Sequence, residues 1–257
     1  MCIRDRIYFA SDFHLGSDGK LTSLEREKQI VRWLEMIRMD AAEIYLVGDV
    51  FDFWFEYKTV VPRGYLRFFG KLRELRDQGI NIYFFTGNHD MWMFDYFEEE
   101  FGIATYRAPI IRTIKGKTFF IGHGDGKGPE DYGYKRLKKI FANPLCQWLF
   151  ERLHPNFGIW LAQKWIAKTK GERPKPPLFL TIEEEWLYQY AQRKSTEIDI
   201  DYFIFGHRHL PIHTPLPNGK SQYLNMGDWL FHNSYVAFDG VEAKILFFES
   251  EREVIYS

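Results

Sequence analysis

Residues 44–52 read Ile-Tyr-Leu-Val-Gly-Asp-Val-Phe-Asp, an apolar run that stops at a glycine and passes directly into carboxylates. A short continuous run rich in β-branched and aromatic residues is typical of a strand that is covered on both faces. In open α/β sheets, the residues that follow such strands lie at the carboxyl edge of the sheet, where ligands bind. The segment therefore predicts a buried strand that ends at a functional site.

The same pattern recurs along the chain: a β-rich run ends at a small residue and a potential metal ligand follows. The runs are residues 7–11, 82–87, 118–122, 202–206 and 223–227, followed by Asp12, Asn88, His123, His207 and Asp228. Between the first runs the apolar spacing is helical, at residues 30–37 and 68–75. The alternation predicts an α/β fold in which the strand ends converge on one site.

The candidate ligands comprise two carboxylates, one amide and four imidazoles, without a thiolate. They are Asp12, His14, Asp49, Asn88, His123, His207 and His209. Oxygen and imidazole donors suit Mn²⁺, Fe or Zn²⁺ better than Cu(I), and their number is enough for two ions. Two divalent ions roughly 3.5–4 Å apart stabilise the attacking and leaving oxygens of phosphoryl displacement. The donor set predicts hydrolysis of a phosphate ester or anhydride.

Each of these motifs alone has an ordinary structural explanation. An aspartate after a strand is often a turn or N-cap residue, and residues 88–90, Asn-His-Asp, would also suit an Asx turn. Only the conjunction is specific, because unrelated accidents would have to place a ligand-type residue after each of five strands.

In chain order the motifs resemble the blocks of the calcineurin-like metallophosphoesterases: Asp-x-His, Gly-Asp-x-x-Asp, Gly-Asn-His-Asp, Gly-His and Gly-His-x-His. They stand at residues 12–14, 48–52, 87–90, 122–123 and 206–209. The resemblance implies a four-layered α/β/β/α sandwich with a helical cap. It also implies two divalent metal ions, most readily Mn²⁺, with Fe and Zn²⁺ as alternatives.

The resemblance further implies a role for each site residue. One metal would be held by Asp12, His14, Asp49 and His209, and the other by Asp49, Asn88, His123 and His207, with Asp49 bridging. Asn88 and His89 would be catalytic, His89 by stabilising the pentavalent phosphorus or protonating the leaving group. Asp52 and Asp90 would orient the ligands.

Residues 127–175 differ from the rest of the chain in charge and pattern. They contain eleven Lys and Arg against four Asp and Glu, although the whole chain has a net charge of −1. Their spacing is helical, with breaks at Asn143-Pro144 and His154-Pro155. We expect a helical lid inserted into a core formed by residues 1–126 and 176–257. The alternative is an ordinary helical hairpin whose aromatic residues form a core of their own, which predicts little exposed apolar surface.

Within the family, residues 11–16, 48–54 and 123–125 resemble the pyrophosphatases of lipid A biosynthesis, which cleave UDP-2,3-diacylglucosamine into UMP and 2,3-diacylglucosamine 1-phosphate. His89 stands where the best-known form of that enzyme has arginine. The resemblance implies a UDP-linked acylated glucosamine as substrate, contact with an anionic membrane surface and a place on the cytoplasmic face of that membrane. The expected substrate-binding residues are Asp131, Tyr134, Trp148 and Trp160.

Two other functions remain open at this stage. A phosphodiesterase or phosphatase acting on a soluble phosphoester would need no groove for acyl chains. A non-catalytic scaffold would keep the fold for partner binding, but such scaffolds typically lose metal ligands. Nucleic acid is not an expected partner, because 34 basic residues are balanced by 35 acidic ones and no global field attracts phosphate backbones.

Overall fold

The computed structural model describes residues 4–128, 132–170, 178–179 and 181–249. The strands are β1 Arg6–Ala10, β2 Ala41–Val47, β3 Asn81–Phe85, β4 Ala104–Tyr106, β5 Ile110–Ile114, β6 Lys117–Ile121, β7 Tyr202–Phe205, β8 Pro211–Pro215, β9 Gln222–Met226, β10 Ser234–Phe238 and β11 Ala243–Phe247. The helices are α1 Ser23–Ile37, α2 Leu66–Asp77, α3 Tyr96–Phe101, α4 Tyr132–Phe141, α5 Pro144–Glu151, α6 Pro155–Lys170 and α7 Trp186–Ser195.

The strands form two sheets. The first has the order β11-β10-β1-β2-β3-β4, and the second has the order β5-β6-β7-β9-β8. The strands that carry the ligand motifs are parallel to their motif-bearing neighbours: β1 to β2, β2 to β3, β6 to β7 and β7 to β9. Their carboxyl ends therefore open on the same edge of each sheet.

Three apolar cores separate the layers. Phe9 and Tyr45 from the first sheet meet Phe119 and Leu224 from the second, which places one core between the sheets. The outer face of the first sheet packs against α1 and α2, and the outer face of the second packs against α7. The order helix, sheet, sheet, helix confirms the predicted four-layered α/β/β/α architecture.

Helices α1 and α5 begin at residues that cap them. Thr22 and Glu25 form a reciprocal capping box at the start of α1, whose buried face is the predicted run of Ile30, Leu34 and Ile37. Asn143 accepts the first N–H groups of α5, and Pro144 occupies the first turn. The predicted break at this point therefore separates two helices.

Helices α4 to α6 lie in the segment that the sequence predicts to be a lid. Residues 129–131 and 171–175 of that segment lie outside the described residues. Within the described part, α5 has no buried side chain, and Phe150, Ile159 and Ile166 pack against a small cluster around Phe53. No helix among the described residues has the length and apolar character needed to cross a membrane.

Candidate metal centre

The first group of candidate ligands follows β1, β2 and β7. His209 Nε2 lies 3.2 Å from Asp12 Oδ1, and His14 Nε2 lies 3.9 Å from the same oxygen. His14 Nε2 also lies 3.8 Å from Asp49 Oδ2. Asp12, His14 and His209 thus offer one atom each to a common point.

The second group shares Asp49 with the first. His123 Nε2 lies 3.4 Å from Asp49 Oδ2 and 3.3 Å from Asn88 Oδ1. Asp49, His123 and His207 again offer one atom each to a common point. Asp49 Oδ2 therefore faces both groups, while Asp49 Oδ1 accepts the backbone N–H of His89.

Second contacts fix the orientation of the imidazoles. His123 Nδ1 lies 2.9 Å from the carbonyl oxygen of Val47, which can only accept, so this nitrogen carries the proton. In the neutral ring, His123 Nε2 therefore presents its lone pair to the oxygens of Asp49 and Asn88. His14 Nδ1 likewise faces Asp52 at 3.1 Å, and His209 Nδ1 faces Asp228 at 3.0 Å. This is the arrangement expected behind metal-binding histidines.

The arrangement fits divalent cations. The Nε2 atoms of His14 and His209 lie 3.3 Å apart, so in the neutral tautomers fixed by Asp52 and Asp228 two lone pairs face each other. Asp12 Oδ1 is completely buried and accepts no hydrogen bond. Buried acceptors that face one another are unfavourable unless positive charge lies between them.

Protonation behaviour has the same cause. Burial acts to lower the pKa of His123, but the facing carboxylate of Asp49 outweighs it and raises the pKa to about 10. Burial also acts against the charged form of His209, and Asp12 and Asp228 raise its pKa to about 10. The buried carboxylates demand positive charge, which protons or divalent cations can supply.

The backbone is strained at the candidate ligands. Nine non-glycine residues of the described chain have positive φ, and five of them are Asp12 at 56°, His14 at 44°, Asp49 at 52°, His207 at 67° and His209 at 56°. Such conformations cost about 1–3 kcal/mol each and cluster at functional sites. The strain falls on the residues whose side chains must converge.

Two glycines allow this close approach. A Cβ atom at Gly87 would lie 2.2 Å from Asp49 Oδ1, and one at Gly206 would lie 2.5 Å from Asp12 Oδ2. Both distances are shorter than any real contact of this kind, so no larger residue fits at either position without a shift. Gly87 thus leaves room for the carboxylate of Asp49, and Gly206 leaves room for the carboxylate of Asp12.

Buried polar side chains brace the ligand loops. Asp90 accepts backbone N–H groups of Gly87 at 2.7 Å and Val50 at 2.7 Å, which ties the loop after β3 to the loop after β2. Burial and the nearby Asp49 raise the pKa of Asp90 to about 7. Arg26 of α1 donates to the carbonyl oxygens of Phe13 and His14, both at 2.7 Å. The helix layer therefore holds the first motif from behind.

Asp228 has a part in the site that the sequence did not assign. Its carboxylate is fully buried and accepts from His209 Nδ1 and from His232 Nδ1, each at 3.0 Å. The backbone N–H groups of Phe231 and His232 also donate to it at 3.0 Å. The only signal in the sequence is the recurring pattern itself, since Asp228 follows Gly227 at the end of β9.

His89 stands beside the cluster and keeps one nitrogen for a ligand. Its Nδ1 lies 2.8 Å from the carbonyl oxygen of Asp52 and therefore carries a proton. Its ring is nearly perpendicular to that of His14, with centroids 4.9 Å apart. His89 also lies within reach of a metal shared with His14 and Asp49. Its Nε2 is thus available to a substrate or to a cation.

An apolar cavity of about 270 Å³ opens next to Asn88 and His89. It lies between the core and helices α4 and α6, and its walls include Phe53, Phe141 and Trp165. The sequence did not single out these three residues. The helical spacing around Phe141 and Trp165 indicated an apolar face but not the direction in which that face points.

The expected substrate residues lie elsewhere or outside the described part. Trp160 lines a separate cavity of about 680 Å³ that shares Phe53 with the first. Trp148 is half exposed, and the guanidinium of Arg152 lies 4.9 Å from its ring centre. Asp131 lies outside the described residues. For Tyr134 only the backbone within α4 is described.

The chain matches the family described as "Calcineurin-like phosphoesterase" over residues 5–211. A protein of Porphyromonas gingivalis named "UDP-2,3-diacylglucosamine hydrolase" is 40% identical over 255 residues, covering 93% of this chain and 95% of the relative. A protein of the same name from Edwardsiella ictaluri is 26% identical and covers 90% and 87%.

Among solved structures, YfcE, a phosphoesterase from E. coli, aligns with a TM-score of 0.48 and 14% identity, covering 97% of this chain and 96% of that one. A likeness at this level adds nothing on function. The match over residues 5–211 and the 40% identity across nearly the whole chain decide the assignment. The chain belongs to the calcineurin-like phosphoesterase family, a family of hydrolases.

Proposed function

We propose that this protein hydrolyses the pyrophosphate bond of UDP-2,3-diacylglucosamine. Water is consumed, one phosphoanhydride P–O bond breaks, and UMP and 2,3-diacylglucosamine 1-phosphate are released. The observation that carries the proposal is the 40% identity, over nearly the whole of both chains, to a relative named UDP-2,3-diacylglucosamine hydrolase. The buried cluster of carboxylates and imidazoles supports the same class of chemistry.

Seven residues would hold two divalent cations: Asp12, His14, Asp49, Asn88, His123, His207 and His209. When bound, the cations supply Lewis-acid stabilisation of the charge on the phosphate oxygens. Mn²⁺ is the proposed ion because carboxylate and amide oxygens, which suit it, complete both groups of imidazoles. Metal analysis of the purified protein by mass spectrometry tests the identity, and stoichiometric Zn²⁺ or Fe in active protein would contradict Mn²⁺.

His89 would act on the substrate itself. The carbonyl oxygen of Asp52 holds the ring by Nδ1, so Nε2 is the nitrogen that faces a ligand. In the imidazolium form, Nε2–H donates to a phosphoryl oxygen or to the leaving group. Asn88, whose side-chain oxygen lies 3.3 Å from His123 Nε2, borders the same space and would position the reacting phosphate.

The apolar cavity beside His89 would receive an acyl chain. Its apolar walls, with Trp165 and Phe141 from the helices and Phe53 from the core, suit a hydrocarbon chain rather than a sugar or a base. We propose that residues 127–175 act as a lid over this cavity. A self-contained hairpin would expose little apolar surface, so the large exposed apolar side chains of the segment favour a lid instead. They are Ile140, Leu145, Trp148, Leu149, Phe157, Trp160, Leu161 and Trp165.

The decisive experiment is Mn²⁺-dependent release of UMP from UDP-2,3-diacylglucosamine in mixed micelles, with bis(p-nitrophenyl) phosphate as a parallel substrate. Rapid release of UMP with slow turnover of the aryl diester is the expected result. Turnover of the aryl diester alone would contradict the lipid substrate and favour a soluble phosphodiester. Inactivity on both substrates with metals bound would favour a non-catalytic scaffold.

A pair of glutamate variants tests the cavity. Trp165→Glu places a charge on the cavity wall and is expected to raise KM for the acylated substrate at least about tenfold, since an acyl chain packed on that wall would take the unpaired charge out of water. Met36→Glu places the same charge at a similarly exposed position of α1, outside the cavity wall and outside residues 127–175, and KM is expected to change less than about twofold. Equal effects of the two variants would remove the cavity from the substrate site.

We also propose that α5 and α6 contact an anionic membrane surface. Trp148, Leu149, Phe157 and Trp160 are each about half exposed. The segment 127–175 that contains them carries a large excess of Lys and Arg. Exposed aromatic residues beside basic ones are the composition of an interfacial helix.

Vesicle flotation tests the membrane contact. Vesicles of phosphatidylglycerol mixed with phosphatidylcholine are expected to bind the protein, and pure phosphatidylcholine to bind it much more weakly. Lys164→Glu with Lys168→Glu is expected to abolish the difference, because each basic residue near the surface contributes about 1 kcal/mol. Lys20→Glu with Lys28→Glu, at exposed positions before and on α1, makes the same change in charge and is the matched control. Equal binding of the double variant and the control would contradict the contact.

A further inference from the structure

A second cavity, of about 170 Å³, borders the metal cluster on the side of His123. Its wall continues through Gly124 and Asp125 and is closed by Tyr106 at the end of β4 and by Arg107 in the loop that follows. The wall therefore combines charged groups with an aromatic ring, in contrast to the apolar cavity beside His89.

The two cavities meet at the cluster. Asn88 lines the apolar cavity and His123 lines the second one, and Asn88 Oδ1 lies only 3.3 Å from His123 Nε2. Lys138 of α4 lines both cavities. A ligand that occupies both must therefore cross the candidate metal ligands, with Lys138 beside the crossing.

Charge distinguishes the second cavity. Three cationic side chains, Arg107, Lys127 and Lys138, line it with one carboxylate, Asp125, and Lys138 already pairs with that carboxylate. Arg107 donates to the carbonyl oxygens of Met93 and Phe94 at 2.8 and 3.3 Å. It forms no ion pair with any described residue. The surplus charge attracts an anion.

Lys127 gives the strongest support for an anion-binding site. It is half-buried, and the ring centre of Tyr190 lies 5.4 Å from its Nζ. Burial and the positive charge of Lys138 lower the pKa of Lys127. No described carboxylate forms an ion pair with it. A phosphate placed there would reverse this electrostatic cost.

We infer that the second cavity is the subsite for the nucleoside monophosphate half of the substrate. Lys127 and Arg107 would meet the phosphate that leaves with the nucleoside, and the ring of Tyr106 would stack on the pyrimidine. The acylated half then occupies the apolar cavity, and the pyrophosphate lies across Asn88 and His123. This inference rests on the proposed function, because only a substrate with a nucleotide half and a lipid half needs both cavities.

Calorimetric titration of the Mn²⁺-loaded full chain with UMP tests the subsite directly. UMP is expected to bind at least about tenfold more tightly than inorganic phosphate, because inorganic phosphate has no base to stack on Tyr106 and no ribose to contact the cavity wall. Lys127→Met is expected to raise the Kd for UMP about tenfold or more, the size of one lost charge-assisted hydrogen bond. Lys139→Met, on the exposed side of α4, is the matched control and is expected to leave the Kd unchanged.

The aromatic contact has its own pair of variants. Tyr106→Ala is expected to raise the Kd for UMP about fivefold or more, whereas Tyr106→Phe keeps the ring and the affinity. Tyr106 packs against Phe85 with ring centres 5.1 Å apart, so the phenylalanine variant also controls for folding.

The outcomes separate this inference from the proposed function. Equal binding of UMP by the Lys127→Met and Lys139→Met variants, or equal affinity for phosphate and UMP, overturns the subsite even if UDP-2,3-diacylglucosamine is hydrolysed. If UMP binds with the expected losses but is not released from UDP-2,3-diacylglucosamine, the nucleotide subsite stands and the lipid substrate falls.

Discussion

The core and the α4 to α6 segment contain the same types of aromatic residue in opposite environments. Trp33 and Trp54 are completely buried, whereas Trp148 and Trp160 are 50% and 51% exposed. In the core the rings fill the space between helices and sheets, and burial of their apolar area stabilises the fold. In the segment the rings remain in water, where they are available to a lipid. Aromatic content alone therefore does not distinguish a packed core from an apolar surface, whereas the exposed fraction of each side chain does.

The largest expected effect lies in the core, at the residue that faces both groups of ligands. Asp49→Ala is expected to remove metal from both groups and to lower kcat by more than about 10³-fold. The reason is that removing one hydrogen-bond donor from an oxyanion hole already lowers kcat by about 10²–10³-fold, and this variant would lose the stabilisation by two cations. Metal content by mass spectrometry and turnover are the measurements. Full metal occupancy in the variant would show that Asp49 does not bridge.

The next effect separates the two kinds of tryptophan by stability. Trp33→Ala is expected to lower the free energy of unfolding by about 3–5 kcal/mol, because it leaves a cavity in a packed core. Trp160→Ala is expected to lower it by less than about 1 kcal/mol, because the side chain is already half in water. Urea unfolding followed by circular dichroism measures both. A large loss for Trp160→Ala would make the segment part of the core.

A smaller effect tests how the core supports its ligands. Asp228→Asn removes the charge that orients His209 and is expected to weaken metal affinity about 10–100-fold. Asp199→Asn, at an exposed carboxylate, is the control. Chelator competition measures the affinity, and circular dichroism checks the fold. Metal affinity equal to that of the control would show that His209 needs no such support.

The sequence predicted the sheet and the ligand set because both depend on local patterns. A buried strand appears in the sequence as a continuous apolar run. Because β1, β2 and β3 are parallel neighbours joined by helical crossovers, their carboxyl ends lie at the same edge of the sheet. The four layers then followed from the family resemblance.

The contacts between distant side chains were not predictable in this way. Asp228 shows the same strand-end pattern as Asp49, yet it faces the back of His209 rather than a candidate metal position. Trp165 lines the apolar cavity and Trp148 does not, although both stand at apolar positions of helical spacing. The breaks before α5 and α6 reset the phase of each helix, so the faces are set by packing and not by spacing.

The left-handed backbone at five candidate ligands has a consequence for protein engineering. Glycine adopts this conformation without the steric cost that aspartate and histidine carry. An engineer who wanted an inert version of this fold would therefore begin with glycine at His207 or His209, where one change both relaxes the chain and deletes a donor atom. The native sequence keeps the residues with the steric cost at the positions whose imidazoles face the buried carboxylates.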